Sequence, residues 1–166
     1  GRGWANLSNT PFRMYKRYTH EGGVATPLIV HWPAGFKAKG ELRHAPSHII
    51  DVAPTCLSAA GLSGKGMAGK SLVPVFAKDS EKERTLYWEH EGNRAVRKGD
   101  YKLVAMHDTP WELYDMNKDR SELKDLSKIR PGKAKELRLL YEAWAKRVGA
   151  LPWNEVMVTK KKKIKK

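Results

Sequence analysis

The sequence holds a single cysteine, Cys56, among its 166 residues. One thiol can neither close an internal disulfide nor build a multi-cysteine metal site. The chain also lacks any run of about 18 apolar residues, the length a membrane-crossing helix needs, so no segment reads as a span. Acidic side chains are scarce beside basic ones, 18 Asp and Glu against 32 Lys and Arg, for a net charge of +14. Six of those charges are the lysines of the closing "TKKKKIKK", which leaves +8 for the rest. That sign favours anionic partners without choosing among them. No initiator methionine and no signal-peptide pattern opens the chain, and "GRGWANLSN" is expected to start within a longer protein.

Two further absences narrow the chemistry. The glycine-rich stretch "GLSGKGMAGKS" contains Gly69-Lys70-Ser71, but the glycine spacing of a phosphate-binding loop fails and no strand precedes it. His44 and His48 are four residues apart with Pro46 between them, which keeps them off one helical face and argues against a zinc site. Asp51 reads as a local cap or ion-pair partner. Cys56 sits among apolar neighbours and reads as a small buried hydrophobe rather than a nucleophile.

What is present falls into blocks. Residues 1–23 are rich in Gly, Asn, Ser, Thr and Pro, and a loop of that length in a compact domain tends to be functional. Leu28-Ile29-Val30-His31-Trp32, between Pro27 and Pro33, predicts a short buried strand. "SHIIDVAPTCLSAAGL" predicts a turn and a helix divided near Pro54, with Gly61 suited to the C-terminal cap. After Phe76 the texture changes: charged "KDSEKER", then "TLYWEHEG", "NRAVRKGDYKLVAM" and "WELYDM", which read as strands turning at Lys98-Gly99-Asp100. "RPGKAKELRLLYEAWAKRVGA" predicts the clearest helix, with Ala134, Leu137, Tyr141, Trp144 and Val148 on one face. The expected domains are 1–77, an α/β portion; 78–152, a small α+β subdomain; and 153–166, a Lys-rich tail too charged to pack.

Lys16, His20 and Glu21 crowd the approach to the predicted strand. Open α/β sheets bind ligands on loops beyond their strand ends. An ammonium about 4 Å from a sulfuryl or phosphoryl oxygen interacts by about 4 kcal/mol at an intermediate dielectric, enough to matter in binding and in a charged transition state.

The pattern of Arg13, two spacers, Lys16, four spacers and Glu21-Gly22-Gly23, followed by the Pro-flanked apolar stretch, resembles a segment of the type I sulfatases (arylsulfatases). The similarity continues through "SHIIDVAPTCLSAAG", "GKSLVPVF", "LYWEHEGNRAVRKGDYKLV" and "WELYDMNKDRSELKDLS", to about Leu151. The resemblance implies an α/β fold: the C-terminal part of an alkaline-phosphatase-like sandwich, plus a small antiparallel β subdomain with a packed C-terminal helix. It implies that Lys16 binds the sulfate group and acts in catalysis, that His20 faces the substrate, and that Gly22 and Gly23 turn the chain at positive φ. Arg13, His48, His90 and Asn93, with Glu89, are weaker candidates for the rim.

The departures are equally informative. The family's formylglycine arises from a C/S-x-P-x-R motif, and Cys56-Leu57-Ser58-Ala59-Ala60 has neither its proline nor its arginine. The Asp and Asn pairs that hold the family's calcium ion are missing too, so no metal ligand is expected here, and calcium and formylglycine are expected in the full-length enzyme only. The expected function is therefore that of a C-terminal fragment of a sulfuric ester hydrolase, inactive alone. Its expected partners are a sulfated small molecule or carbohydrate and the N-terminal part of the catalytic domain; its expected location is the periplasm or outside the cell. Two rivals remain: part of a phosphodiesterase or phosphonate hydrolase of the same superfamily, and a basic nucleic-acid-binding module. The second rests on charge alone, and a solubilising tail explains that charge without nucleic acid.

Overall fold

Thr85–His90 (β1), Asn93–Lys98 (β2), Tyr101–Ala105 (β3) and Glu112–Asp115 (β4) form an antiparallel meander in that order. These strands belong to a computed structural model that describes residues 1–37, 40–79 and 83–164, with side chains described to residue 158. The β1–β2 hairpin closes on Glu91 and Gly92, both at positive φ, between the paired His90 and Asn93. Two left-handed residues match the twist of the flanking strands, and glycine reaches that conformation freely. Gly99, at φ 58, turns β2 into β3 where Lys98 pairs Tyr101.

Alternation gives the sheet two unlike faces. Val96, Leu103 and Leu113 point to one side, where they bury Leu137 and Tyr141 of helix α5, Pro131–Val148. Leu137 is fully buried, which contributes about 1.5–3 kcal/mol of hydrophobic stabilisation. The ring of Trp144 stacks on Tyr87 at 5.1 Å. Pro131 opens α5 and Gly149, at φ 69, ends it in the left-handed conformation, the asymmetry the sequence predicts. Ala95, Val104 and Tyr114 line the other face, and register puts Lys102 and Glu112 there as well.

The chain divides into two compact units, one of residues 1–26 with 85–166, the other of residues 27–84. The expected division instead put 1–77 together. Residues 1–26 group with the β meander because their charged side chains are satisfied on its polar face, as described below. Short helices α1, Arg2–Leu7, and α2, Glu21–Val24, interrupt the long N-terminal loop. Trp153–Ile164 forms helix α6 where an unpacked tail is expected; residues 165 and 166 lie outside the described residues.

In the second unit a 3-10 turn, Ile49–Asp51, leads into α3, Val52–Ala59, and α4 follows at Val73–Ala77. Asp51 is fully buried. It accepts the His48 and Lys70 N–H groups and pairs with the Arg84 guanidinium, so it is the local cap and partner expected. Leu28–Trp32 is not a buried strand: the segment has no regular secondary structure, and Ile29 is 91% exposed. A strand buried on both faces needs neighbours to take its N–H and C=O groups, and all four described strands lie in the first unit. Cys56 is exposed rather than buried, on a helix whose Ile49, Ile50 and Val52 neighbours are exposed too.

Candidate functional site

The loop from Arg13 to Glu21 is held at both ends and left open at its tip. At its start Arg13 Nη1 donates to Glu112 Oε2 at 3.1 Å, to the Tyr114 hydroxyl at 2.9 Å and to the Glu122 backbone carbonyl at 3.1 Å. Tyr114 in turn donates to Glu112 at 2.8 Å. Burial and that carboxylate push up the pKa of the Tyr114 hydroxyl, so it keeps its proton and its donor role.

At the far end Glu21 is buried. Its carboxylate meets Lys102 Nζ at 3.0 Å and Arg120 Nη2 at 3.1 Å, and its backbone N–H donates to Glu122 Oε2 at 2.8 Å. Lys102 and Glu122 are fully buried, with Lys102 Nζ 2.8 Å from Glu122 Oε1. Burial alone would raise the Glu21 pKa, but Lys102 and Arg120 outweigh it and hold the group below the usual glutamate value. Removing one partner from such a cluster leaves a buried charge uncompensated, a loss of about 3–5 kcal/mol.

The middle of the loop is tied from a third side. Arg17 pairs with Glu91 at 2.6 Å, and Asn93 Nδ2 donates to the Arg17 carbonyl at 3.3 Å. Met14 and Arg17 sit at φ 67 and 99. Non-glycine residues in that region cost about 1–3 kcal/mol each and persist where surroundings hold them, often at functional sites. Between the two, Lys16 is exposed, and among the described residues it makes no hydrogen bond or ion pair.

The two glycines serve close approach rather than positive φ, which neither adopts. A Cβ on Gly22 would fall 2.2 Å from the Met14 carbonyl oxygen, and one on Gly23 1.9 Å from that of Tyr18. The chain folds back on its own loop there, and only glycine leaves room.

His20, expected at the substrate face, is 1% exposed, with Nε2 3.3 Å from Glu112 Oε2 and Nδ1 unpartnered among the described residues. Burial lowers its pKa below the usual 6.5, so the ring is neutral. Arg13, expected at the rim, instead spends its donors inside the fold. Asn93 is buried and bridges Arg17 to the His107 N–H. Glu89 and His90 are exposed, Glu89 accepting the Gly92 N–H and His90 offering its carbonyl to Asn93. His48 lies in the other unit, where it caps the Ile49–Asp51 turn. The structure thus brings Arg13, His20, Glu21 and Asn93 around the Lys16 loop.

Lys102, Glu112, Glu122 and Arg120 escaped the sequence reading. One signal was available: Lys102 interrupts "YKLVA", a strand otherwise apolar on both faces, so its ammonium had to meet buried carboxylates. Among the described residues no group of three or more His, Cys, Asp or Glu side chains could hold a metal ion. No described helix is long and apolar enough to cross a membrane.

Residues 12–142 match the family "N-sulphoglucosamine sulphohydrolase, C-terminal". An uncharacterised sulfatase of Schizosaccharomyces pombe is 32% identical over 163 residues, covering 86% of this chain and 29% of the relative. Mouse N-acetylgalactosamine-6-sulfatase is 38% identical over 118 residues, 68% of this chain and 22% of the relative. Among solved structures, Ps i-CgsB superposes with a TM-score of 0.75 at 27% identity, covering 84% of this chain and 34% of that one. It has also been solved in complex with k-i-k-neocarrahexaose. The chain therefore spans less than a third of the length of the curated relatives it matches.

Proposed function

The chain belongs to the N-sulphoglucosamine sulphohydrolase C-terminal family of sulfatases, and we propose that the protein it forms part of hydrolyses sulfate esters of sugars with Lys16 as a sulfate-binding group. The observation that carries this reading is the loop of residues 13–21: three ties hold it, its backbone is strained beside Lys16, and that ammonium is left unpaired at the tip. A cation fixed in that way loses little freedom when an oxyanion arrives.

Hydrolysis breaks the bond from sulfur to the sugar oxygen, and water supplies the hydroxyl and proton that give free alcohol and sulfate. Negative charge gathers on the departing oxygen as that bond lengthens. Lys16 offsets it there and on the sulfuryl oxygens, a service worth more in a water-poor site than in bulk water. The groups that attack sulfur lie elsewhere in the protein. Neither the calcium ion nor the formylglycine of the family fits the residues of this chain: no described cluster could ligate a metal, and Cys56 lacks the modification motif. Both belong to the remaining two-thirds or more of the protein, and this part alone is inactive.

A sugar substrate is favoured by the relatives, one an N-acetylgalactosamine-6-sulfatase and one held with k-i-k-neocarrahexaose. Location in the periplasm or outside the cell accords with such substrates. In the complete protein, Lys16→Ala is expected to lower kcat/KM on a sugar 6-sulfate by about 100-fold or more, with the melting temperature unchanged. Unchanged kinetics would remove Lys16 from the site, and faster turnover of sugar phosphates than sulfates would favour the phosphoester rival.

A further inference from the structure

Both ends of the Lys16 loop converge on one residue. Glu122 accepts Arg13 Nη1 on its backbone carbonyl and the Glu21 N–H on its carboxylate. The other carboxylate oxygen stands 2.8 Å from Lys102 Nζ, and Lys102 in turn holds the Glu21 side chain. Glu122 is fully buried and sits at φ 56, a left-handed conformation uncommon for glutamate. The conformation lets carbonyl and carboxylate of a single residue serve the two ends of one loop, the carbonyl toward Arg13 and the side chain toward Glu21.

We propose that Glu122 is a positioning residue for sulfate-ester hydrolysis: it clamps Arg13 to Glu21 and so sets where Lys16 meets the substrate's sulfate. The inference rests on the assignment of Lys16 as the sulfate-binding group.

The physical reason is reach. Seven residues lie between Arg13 and Glu21, and a loop of that length with free ends samples many tip positions. Joining both ends to one buried residue, Arg13 to its carbonyl and Glu21 to its carboxylate, removes most of that freedom. Strain at Met14 and Arg17 then orients the tip, while the Arg17–Glu91 pair limits its sideways movement. Glu122 itself never touches substrate. Its effect passes through the loop, so it matters for rate only while Lys16 is present. A displacement of the ammonium by about 1 Å is enough to cost of the order of 100-fold in rate.

A double-mutant cycle in the complete protein tests the proposal, with kcat/KM on a sugar 6-sulfate and melting temperature measured for wild type, Lys16→Ala, Glu122→Gln and the double variant. Glutamine keeps the size of Glu122 but offers one acceptor oxygen where two donors, Lys102 Nζ and the Glu21 N–H, each need one. Its NH2 must therefore face a donor, and the side-chain arm of the clamp is broken. The expected result is a loss of ten-fold or more in kcat/KM from Glu122→Gln alone, but less than two-fold when it is added to Lys16→Ala. A merely structural glutamate would lower activity by the same factor in both backgrounds, and that outcome overturns the clamp while leaving Lys16 in place. A folded Glu122→Gln protein with wild-type kcat/KM overturns it as well. Wild-type activity in Lys16→Ala would instead sink the assignment of Lys16, and the clamp with it. If Glu122→Gln fails to fold, Arg13→Met enters the same cycle: it keeps an unbranched side chain but donates to none of the three acceptors, the Glu122 carbonyl among them, and the same two-background comparison decides.

Discussion

His20 makes the chemistry of single residues here measurable. The buried ring meets Glu112 and lies in the field of Glu122, Lys102 and Arg13, and desolvation lowers its pKa despite the two carboxylates. The folded chain therefore holds this proton less firmly than the unfolded chain does. The stabilisation is fully present above the usual histidine value of 6.5, and it is lost as pH falls below that toward the lower folded value. Glu21 and Glu112, whose pKa values are lowered, add their own losses only once the pH falls through the ordinary glutamate range. Between pH 7 and 5 stability should therefore fall, by no more than about 1.4 kcal/mol per pH unit from this one site, and the melting temperature with it. In His20→Gln that decline should be shallower, as followed by thermal denaturation. An identical slope in both proteins would show that His20 is not the titrating group.

At the scale of elements, what could be read in the sequence was whatever a local pattern dictates. The period of Leu137, Tyr141 and Trp144, with Pro131 and Gly149 at the ends, specifies α5 without reference to anything distant. The alternation and turns of residues 85–115 specify the meander in the same way. The spacing of Arg13, Lys16 and Glu21 marked the loop as a site through its family resemblance. What ties the loop down lies about a hundred residues further on. Glu112, Arg120 and Glu122 are ordinary surface-type residues in a linear reading, and only the fold brings Glu112 to Arg13 and His20, Arg120 to Glu21, and Glu122 to Lys102. The sequence sets His20 at the substrate and Arg13 at the rim because both lie near Lys16, but it does not say which way they turn. The strand at 28–32 failed for a different reason. Its apolar run satisfies the local rule, yet a central strand exists only where other strands flank it.

For the whole molecule, that exposed run becomes a statement about the remainder of the protein. Leu28, Ile29 and Val30 are exposed, and the curated relatives are more than three times as long as the part this chain matches. If the missing part supplies the flanking strands, Ile29→Lys should shift the stability of the 166-residue chain alone by less than about 0.5 kcal/mol. In the complete protein the same change should remove about 2–5 kcal/mol, the cost of a charge placed where a core side chain belongs. Equal effects in denaturant titrations of the two would rule out that role for the segment. The central claim concerns Lys16 and the anion it holds, and inorganic sulfate, the reaction's product, probes it with no chemistry in the way. Competitive inhibition of the complete protein by sulfate should weaken about tenfold or more in Lys16→Ala, some 1.4 kcal/mol of lost binding, with the melting temperature unmoved. An inhibition constant equal to that of the wild type would contradict the account.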